Sequence, residues 1–198
     1  SGGIGLFWNN SIMVEIFGYS VYHLDVLVEE NNQDKWRLTC VYGEAQTHLR
    51  HQTWTVLKNI STLSPLPWLC MDDFNEILRP EEHKGVGQRS NAQIQAFRDT
   101  TDICILLDTG FNGNFWTFEK KVAAGSYTRC WLDRALANVG WMNKFPEASV
   151  SHLMCSTSDH SPIIIDFGGP EVVQAQRSFK YELMWESHER LRDVLTSS

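Results

Sequence analysis

The sequence predicts an α+β sandwich, and three observations lead there. Stretches that alternate apolar and polar residues are mixed with stretches whose apolar residues recur every three or four positions. The alternating stretches come in groups separated by short turns, as antiparallel strands do. The 198 residues, 42% hydrophobic and 21% charged, suffice for one domain with a real core and are short for two.

In chain order, residues 2–8 form an apolar segment punctuated by glycine. Ile12, Val14 and Ile16 alternate with Met13, Glu15 and Phe17, which predicts a half-buried strand. Tyr22, Leu24, Val26 and Val28 alternate with His23, Asp25 and Glu29, predicting a second. Asn31-Asn32-Gln33-Asp34 is a turn, and Trp36, Leu38, Cys40 and Tyr42 share one face of a third strand, completing a meander. After Gly43 the period changes, and Leu49, Thr53, Val56, Leu57 and Ile60 fit a helical face. Pro65 and Pro67 then set the start of a buried strand at Trp68. Residues 79–90 are polar and read as a loop. Asn91 is the predicted N-cap of a second helix, with Ile94, Phe97, Thr101 and Cys104 along its inner face. Strands at 105–108 and 115–118 flank a turn at Asn112-Gly113-Asn114, and 120–126 is a loop. A strand at 129–133 leads into a short helix that stops near Gly140. Two more strands, 148–154 and 162–167, enclose a Ser-Asp-His turn. Gly168-Gly169-Pro170 closes a domain taken as 1–169, and 170–198 is read as a linker and a helix over 182–195.

Composition narrows the function. No apolar run approaches the roughly 18 residues of a membrane span. The five cysteines are far apart without a Cys-x-x-Cys pair, which predicts reduced core thiols and an intracellular protein, in nucleus or cytoplasm, rather than a zinc cage. The net charge of −7 counts against broad binding of nucleic-acid backbones, although a nuclease can carry its positive potential locally.

The chemistry gathers where the strand that begins at Trp68 ends, in Asp72-Asp73-Phe74-Asn75. A carboxylate and an amide two residues apart lie on one face of an extended chain and can hold a water and a phosphate oxygen together. A strand end with an Asx-type turn would give the same residues. His160 follows Asp159 in a tight turn before a buried strand, where an imidazole can donate to a phosphate oxygen or act as general acid or base. Asp133 beside Arg134 reads equally as an ion pair, and Tyr42 as a strand-end aromatic. His48 and His51 read as exposed helix residues, and His152 as a satisfied, partly buried side chain.

Four motifs in order, Val41-Tyr42-Gly43, Asp73-Phe74-Asn75, Trp131-Leu132-Asp133-Arg134 and Ser158-Asp159-His160-Ser161-Pro162, resemble the endonuclease/exonuclease/phosphatase superfamily. Glu82-His83-Lys84-Gly85, Gln95-Ala96-Phe97-Arg98, Trp141, Phe145-Pro146 and residues 179–185 narrow the resemblance to the endonuclease region of plant LINE-type (non-LTR) retrotransposon polyproteins. The resemblance implies a four-layer α/β sandwich of the DNase I-like type, N-terminally truncated. It implies Mg²⁺-dependent cleavage of DNA, with Mn²⁺ as a substitute metal. By the same resemblance Asp73 orients or deprotonates the attacking water, Asn75 and Tyr42 contact the phosphate, Asp133 orients His160, and Asp159 binds the metal with Asp73 as a second candidate. Two departures are implied. Ser1-Gly2-Gly3-Ile4-Gly5 resembles the segment that follows the family's metal-binding Glu, so that Glu and a preceding Asn are missing and activity is expected to be weak or absent. Asp72 stands where the family has Gly. The alternative expectation is a non-catalytic module that binds a protein partner at an exposed sheet edge.

Overall fold

A computed structural model describes residues 4–30, 34–122, 126–155 and 157–168. The start of the glycine-rich opening, most of the 31–34 turn, the middle of the 120–126 loop and the linker and helix at 170–198 lie outside these residues. The predicted meander is present. Strands β1 (Ile12–Tyr19), β2 (His23–Glu30) and β3 (Trp36–Tyr42) pair antiparallel in sequence. Helix α1 (His51–Ser61) crosses over to β4 (Trp68–Asp73), which runs parallel to β3. A single 3-10 turn, Pro80–Glu82, precedes β5 (His83–Gly85), and α2 (Asn91–Ile103) follows. Then come β6 (Leu107–Asp108), β7 (Asn112–Gly113), β8 (Phe118–Lys121), β9 (Tyr127–Cys130) and β10 (Asp133–Ala137). Helix α3 (Val139–Lys144), β11 (Ser149–His152) and β12 (Ile163–Asp166) end the described chain. The main sheet has the order β1-β2-β3-β4-β10-β6, beside two small sheets, β12-β11-β7 and β5-β9-β8.

Both faces of the main sheet are covered. On one, Val41, Trp68, Cys70 and Leu136 pack with Trp54 and Leu57 of α1 and Phe97 of α2. Trp54 stacks on Phe97 at 4.6 Å, and Phe74 lies 5.3 Å from Phe97. On the other, Trp36, Leu69, Ala135 and Ala137 pack with Trp141 of α3 and Val150 of β11. Among the described residues this makes three layers: helix pair, main sheet, and the sheet of β11 and β12 with α3.

Several expectations are corrected. Residues 133–137, Asp-Arg-Ala-Leu-Ala, have helical propensity and were expected to open a helix, yet they form a wholly buried strand between β4 and β6. Burial in the middle of a sheet outweighs a propensity of a few tenths of a kcal/mol per residue. The short helix starts at Val139, capped by Asn138, and Gly140 lies inside it. The turn expected at Asn112-Gly113 is β7, parallel to β11. Gly113 has φ +95°, and a Cβ there would meet the His152 carbonyl oxygen at 2.5 Å, so backbone approach rather than a hairpin explains the glycine. Ser90, not Asn91, caps α2, through a reciprocal capping box with Gln93. The expected 79–90 loop contains β5, paired with β9. A bulge between Ile16 and Gly18 breaks the β1 alternation and leaves Ile16 exposed.

The β2 strand departs most. It is buried on both faces, and Asp25 is only 1% exposed. Its carboxylate accepts from Arg37 Nε at 2.9 and 3.0 Å, from Arg37 Nη2, and from the Thr39 hydroxyl at 2.9 Å. Arg37 also donates to the Ile60 carbonyl at the end of α1 and lies 4.6 Å over the Trp68 ring. The pair thus ties three strands to the helix. Replacing Asp25 by Ala strands a guanidinium in the core, and urea denaturation should show a loss of about 3–5 kcal/mol. Adding Arg37→Met to that variant should recover part of the loss.

Candidate active site

Register brings the candidate residues together. Tyr42 ends β3 opposite Asp73 at the end of β4, and Asp73 faces Asp133 at the start of β10. The site therefore sits at one edge of the main sheet, across three adjacent strands. Backbone bonds from the Gly43 amide to the Asp73 carbonyl, 2.7 Å, and from the Phe74 amide to the Leu132 carbonyl, 3.1 Å, lock the strand ends together. A Cβ on Gly43 would lie 2.2 Å from the Phe74 carbonyl oxygen, so the approach requires glycine.

His160 reaches this edge from the turn before β12. Its Nδ1 lies 3.1 and 2.9 Å from the two carboxylate oxygens of Asp133, and its Nε2 lies 4.0 Å from Asp73 Oδ2. Ligand atoms of Asp73, Asp133 and His160 all fall within 4.8 Å of one another. Thr117, fully buried, holds the two halves in place. Its hydroxyl oxygen accepts from the Leu132 and Asp133 amides at 2.9 Å, and its carbonyl accepts from the Ser161 amide at 2.7 Å. Nothing in the sequence around Thr117 marks this role, because its partners are distant in the chain.

Asn75 takes the left-handed conformation, φ +54°, which an Asn tolerates. Its amide donates to Asp73 Oδ1 at 2.8 Å, and its side-chain Nδ2 donates to Asp73 Oδ2 and to the Gly43 carbonyl, both at 2.8 Å. Both amide protons are thus committed to acceptors, and Oδ1 is the atom left over. In this geometry Asn75 orients the Asp73 carboxylate and ties it to the Gly43 carbonyl.

Two other expected residues sit at the margin. Asp159 is exposed, outside the cluster of Asp73, Asp133 and His160, and its carbonyl accepts from the Glu119 amide. The Tyr42 ring is 37% exposed, and its hydroxyl has no hydrogen bond among the described residues. His48 and His51 are exposed as expected, but only His51 lies in α1, and His48 is in the turn before it. His152 is buried against Phe111, and only its Nδ1 is satisfied, by the Asn114 carbonyl at 2.7 Å, so the expectation of a fully satisfied ring is corrected. Arg134 pairs with Glu82 at 2.6 Å and Asp108 at 2.9 Å, which leaves Asp133 to His160. All five cysteines are free, four of them buried.

The site's charges are tuned by proximity. The hydrogen bond that His160 Nδ1–H donates to Asp133 lifts the His160 pKa to about 9, against a smaller opposing effect of burial, with Asp73 and Asp159 adding to the rise. Burial, then repulsion from Asp133, raises Asp73 to about 6, with His160 opposing. At neutral pH the arrangement is an imidazolium between two carboxylates. Asp72 has φ +103°, a region that glycine favours, so the backbone is strained beside the site.

No family model matches the sequence, and no curated protein does. Among solved structures, the chain is similar to the endonuclease domain of TRAS1, a telomere-specific non-LTR retrotransposon, with a TM-score of 0.63 at 14% identity over 80% of this chain and 70% of that one. A functionally unknown conserved protein from Enterococcus faecalis V583 aligns with a TM-score of 0.43 at 18% identity, over 73% of this chain and 55% of that one. The TRAS1 likeness shows a shared fold and agrees with a sheet-rich α+β architecture of the DNase I-like kind.

Two outcomes are expected. In metal-free protein the His160 ring should titrate near pH 9 by NMR, and Asp133→Asn should return it toward the ordinary value of 6.5. A raised pKa favours the folded state at low pH. The stability His160 contributes is therefore complete below its ordinary pKa and is lost as pH climbs through 9. Second, Asp72→Gly relieves about 1–3 kcal/mol of strain while losing about 0.4–1 kcal/mol to glycine's freedom when unfolded, so its urea midpoint should rise.

Proposed function

We propose that the chain is a divalent-metal-dependent phosphodiesterase, a DNA endonuclease of LINE-type plant retroelement origin. The observation that carries this reading is Asp133–His160–Asp73: an imidazolium fixed by one carboxylate, its free nitrogen beside a second carboxylate with a raised pKa. The four sequence motifs and the fold shared with a retrotransposon endonuclease domain support it. On this reading the main sheet and the β12-β11-β7 sheet are the inner layers of a four-layer sandwich, with α1 and α2 as one outer layer.

The reaction is in-line hydrolysis. A water oxygen attacks phosphorus, the opposite P–O bond breaks, and the departing oxygen takes up a proton from solvent. Asp73, with a pKa of about 6, is ionised at neutral pH yet basic enough to take the water's proton. Asn75 holds that carboxylate and accepts from the water through Oδ1. The Nε2–H of His160 donates to a phosphate oxygen, and Asp133 keeps the ring charged and oriented. The Tyr42 hydroxyl, without a hydrogen-bond partner among the described residues, donates to the phosphate.

The donor set suits a hard, hydrated cation. Asp159, or Asp73 as second choice, would hold Mg²⁺ (or Mn²⁺) through carboxylate oxygens, the ligand type such ions prefer. When bound, such an ion supplies charge stabilisation at the departing oxygen. Low turnover is expected, because Asp133 is committed to His160 and Asp159 stands apart from the cluster.

Plasmid nicking by purified protein in Mg²⁺ tests the proposal. Slow nicking that vanishes in Asp73→Ala and His160→Ala is the expected result. Folded protein that nicks no faster than those variants would overturn it. That outcome would favour the second reading, a protein-binding module, for which β1 is the relevant element: it is an outer strand of the main sheet with Met13, Ile16 and Tyr19 exposed.

A further inference from the structure

Behind Asn75 lies a group of charges that the mechanism does not use. Glu76 is fully buried. Its Oε2 accepts from Arg50 Nη1 at 2.5 Å, and its Oε1 accepts from the Ile77 amide at 3.0 Å. Arg50, also buried, donates Nε to the Glu44 carbonyl at 3.0 Å and Nη2 to the Ala45 carbonyl at 2.8 Å. One guanidinium therefore ties the segment after Tyr42-Gly43 to the segment after Asp73-Phe74-Asn75. Arg89, from the segment before α2, adds a second cation. Its Nη2 reaches the Asn75 carbonyl at 3.4 Å. Its Nε, buried and without a hydrogen-bond partner, lies 3.4 Å from Glu76 Oε1, near enough for ionic attraction but not aligned for a hydrogen bond.

A buried guanidinium–carboxylate pair such as Arg50–Glu76 is a poor means of stabilising a fold, since apolar residues of the same volume do as well or better. What the group does achieve is positional. It grips the chain at Asn75 and just after it, and ties that stretch to the segment following Tyr42-Gly43. Asn75 in turn holds both oxygens of Asp73. The three charges also leave one net positive charge beside the site of an acidic chain. We propose that Arg50, Glu76 and Arg89 are positioning residues that lock Asn75, and through it the Asp73 carboxylate, in the geometry hydrolysis requires. This rests on the phosphodiesterase reading above.

The test combines kinetics with a probe of Asn75 itself. Glu76→Gln keeps the shape of the side chain and removes its charge. Its kcat for nicking should fall on the order of ten- to a hundredfold with KM little changed, as for a small misplacement of catalytic groups. Added to Asn75→Ala, the same substitution should cause no further loss, because its effect runs through Asn75. Independently of activity, the Asn75 side-chain amide protons should exchange slowly with solvent in the wild type and quickly in Glu76→Gln, while backbone amides of β3 and β4 stay protected. Additive losses, or an Asn75 amide that remains protected, would overturn the proposal. A wild type that does not nick would sink the phosphodiesterase reading alone, and the exchange measurement would still decide the clamp. Should Glu76→Gln fail to fold, Arg89→Ala, at a partly exposed side chain, carries the same comparison.

Discussion

The site depends on how β4 is gripped. It runs parallel to β3 on one side and antiparallel to β10 on the other, and both registers end at the same level. That level holds Tyr42, Asp73 and Asp133. A slip of one residue in either pairing would turn Asp73 or Asp133 to the opposite face of the sheet. Register in turn is enforced by the core, because β4 is covered on both faces: Trp68 and Cys70 toward the helices, Leu69 toward α3. Fold and site are therefore one constraint read at two places along the same strand.

Electrostatics has to work against composition. The net charge is −7, and three aspartates, Asp72, Asp73 and Asp133, stand at the ends of neighbouring strands. Repulsion among them is limited by two devices. Asp133 is neutralised by the His160 imidazolium, whose proton it holds well above the usual pH range. Behind Asn75, Arg50 and Arg89 outnumber Glu76. A protein of net negative charge thus still gathers positive charge around the strand ends that carry these aspartates.

The sequence showed the parts of this that follow local rules. The meander, both long helices and the strand that ends in Asp73 were legible, because hydrophobic period and proline placement report burial directly. The candidate cluster was legible as motifs, and Asp133 and His160, far apart in the chain, lie within hydrogen-bond distance. Other features were set by distant neighbours and left no local trace. Asp25 looked like the polar face of a half-buried strand until Arg37 was found on the adjacent strand. Residues 133–137 carry helix-forming alanines and a leucine, and only burial between two strands makes them β10. Gly113 read as a turn because a parallel two-residue strand has no period to detect. The Asn75 amide could not have been oriented from sequence at all, since its direction is dictated by the Gly43 carbonyl 32 residues away.

Backbone strain completes the picture of a site held rather than merely placed. Three described residues other than glycine have positive φ, and two of them, Asp72 and Asn75, bracket Asp73 and Phe74. Strain persists only where the surroundings over-determine it. Here Phe74 is wholly buried between the helices, its amide is bonded across to Leu132, and the Asp73 carbonyl is bonded to Gly43. The chain can neither relax Asp72 without breaking the β3–β4–β10 register nor relax Asn75 without releasing the Asp73 carboxylate. An aromatic anchor in the core thus keeps a carboxylate at the rim in one orientation, and the charges around Glu76 hold the far side of the same turn.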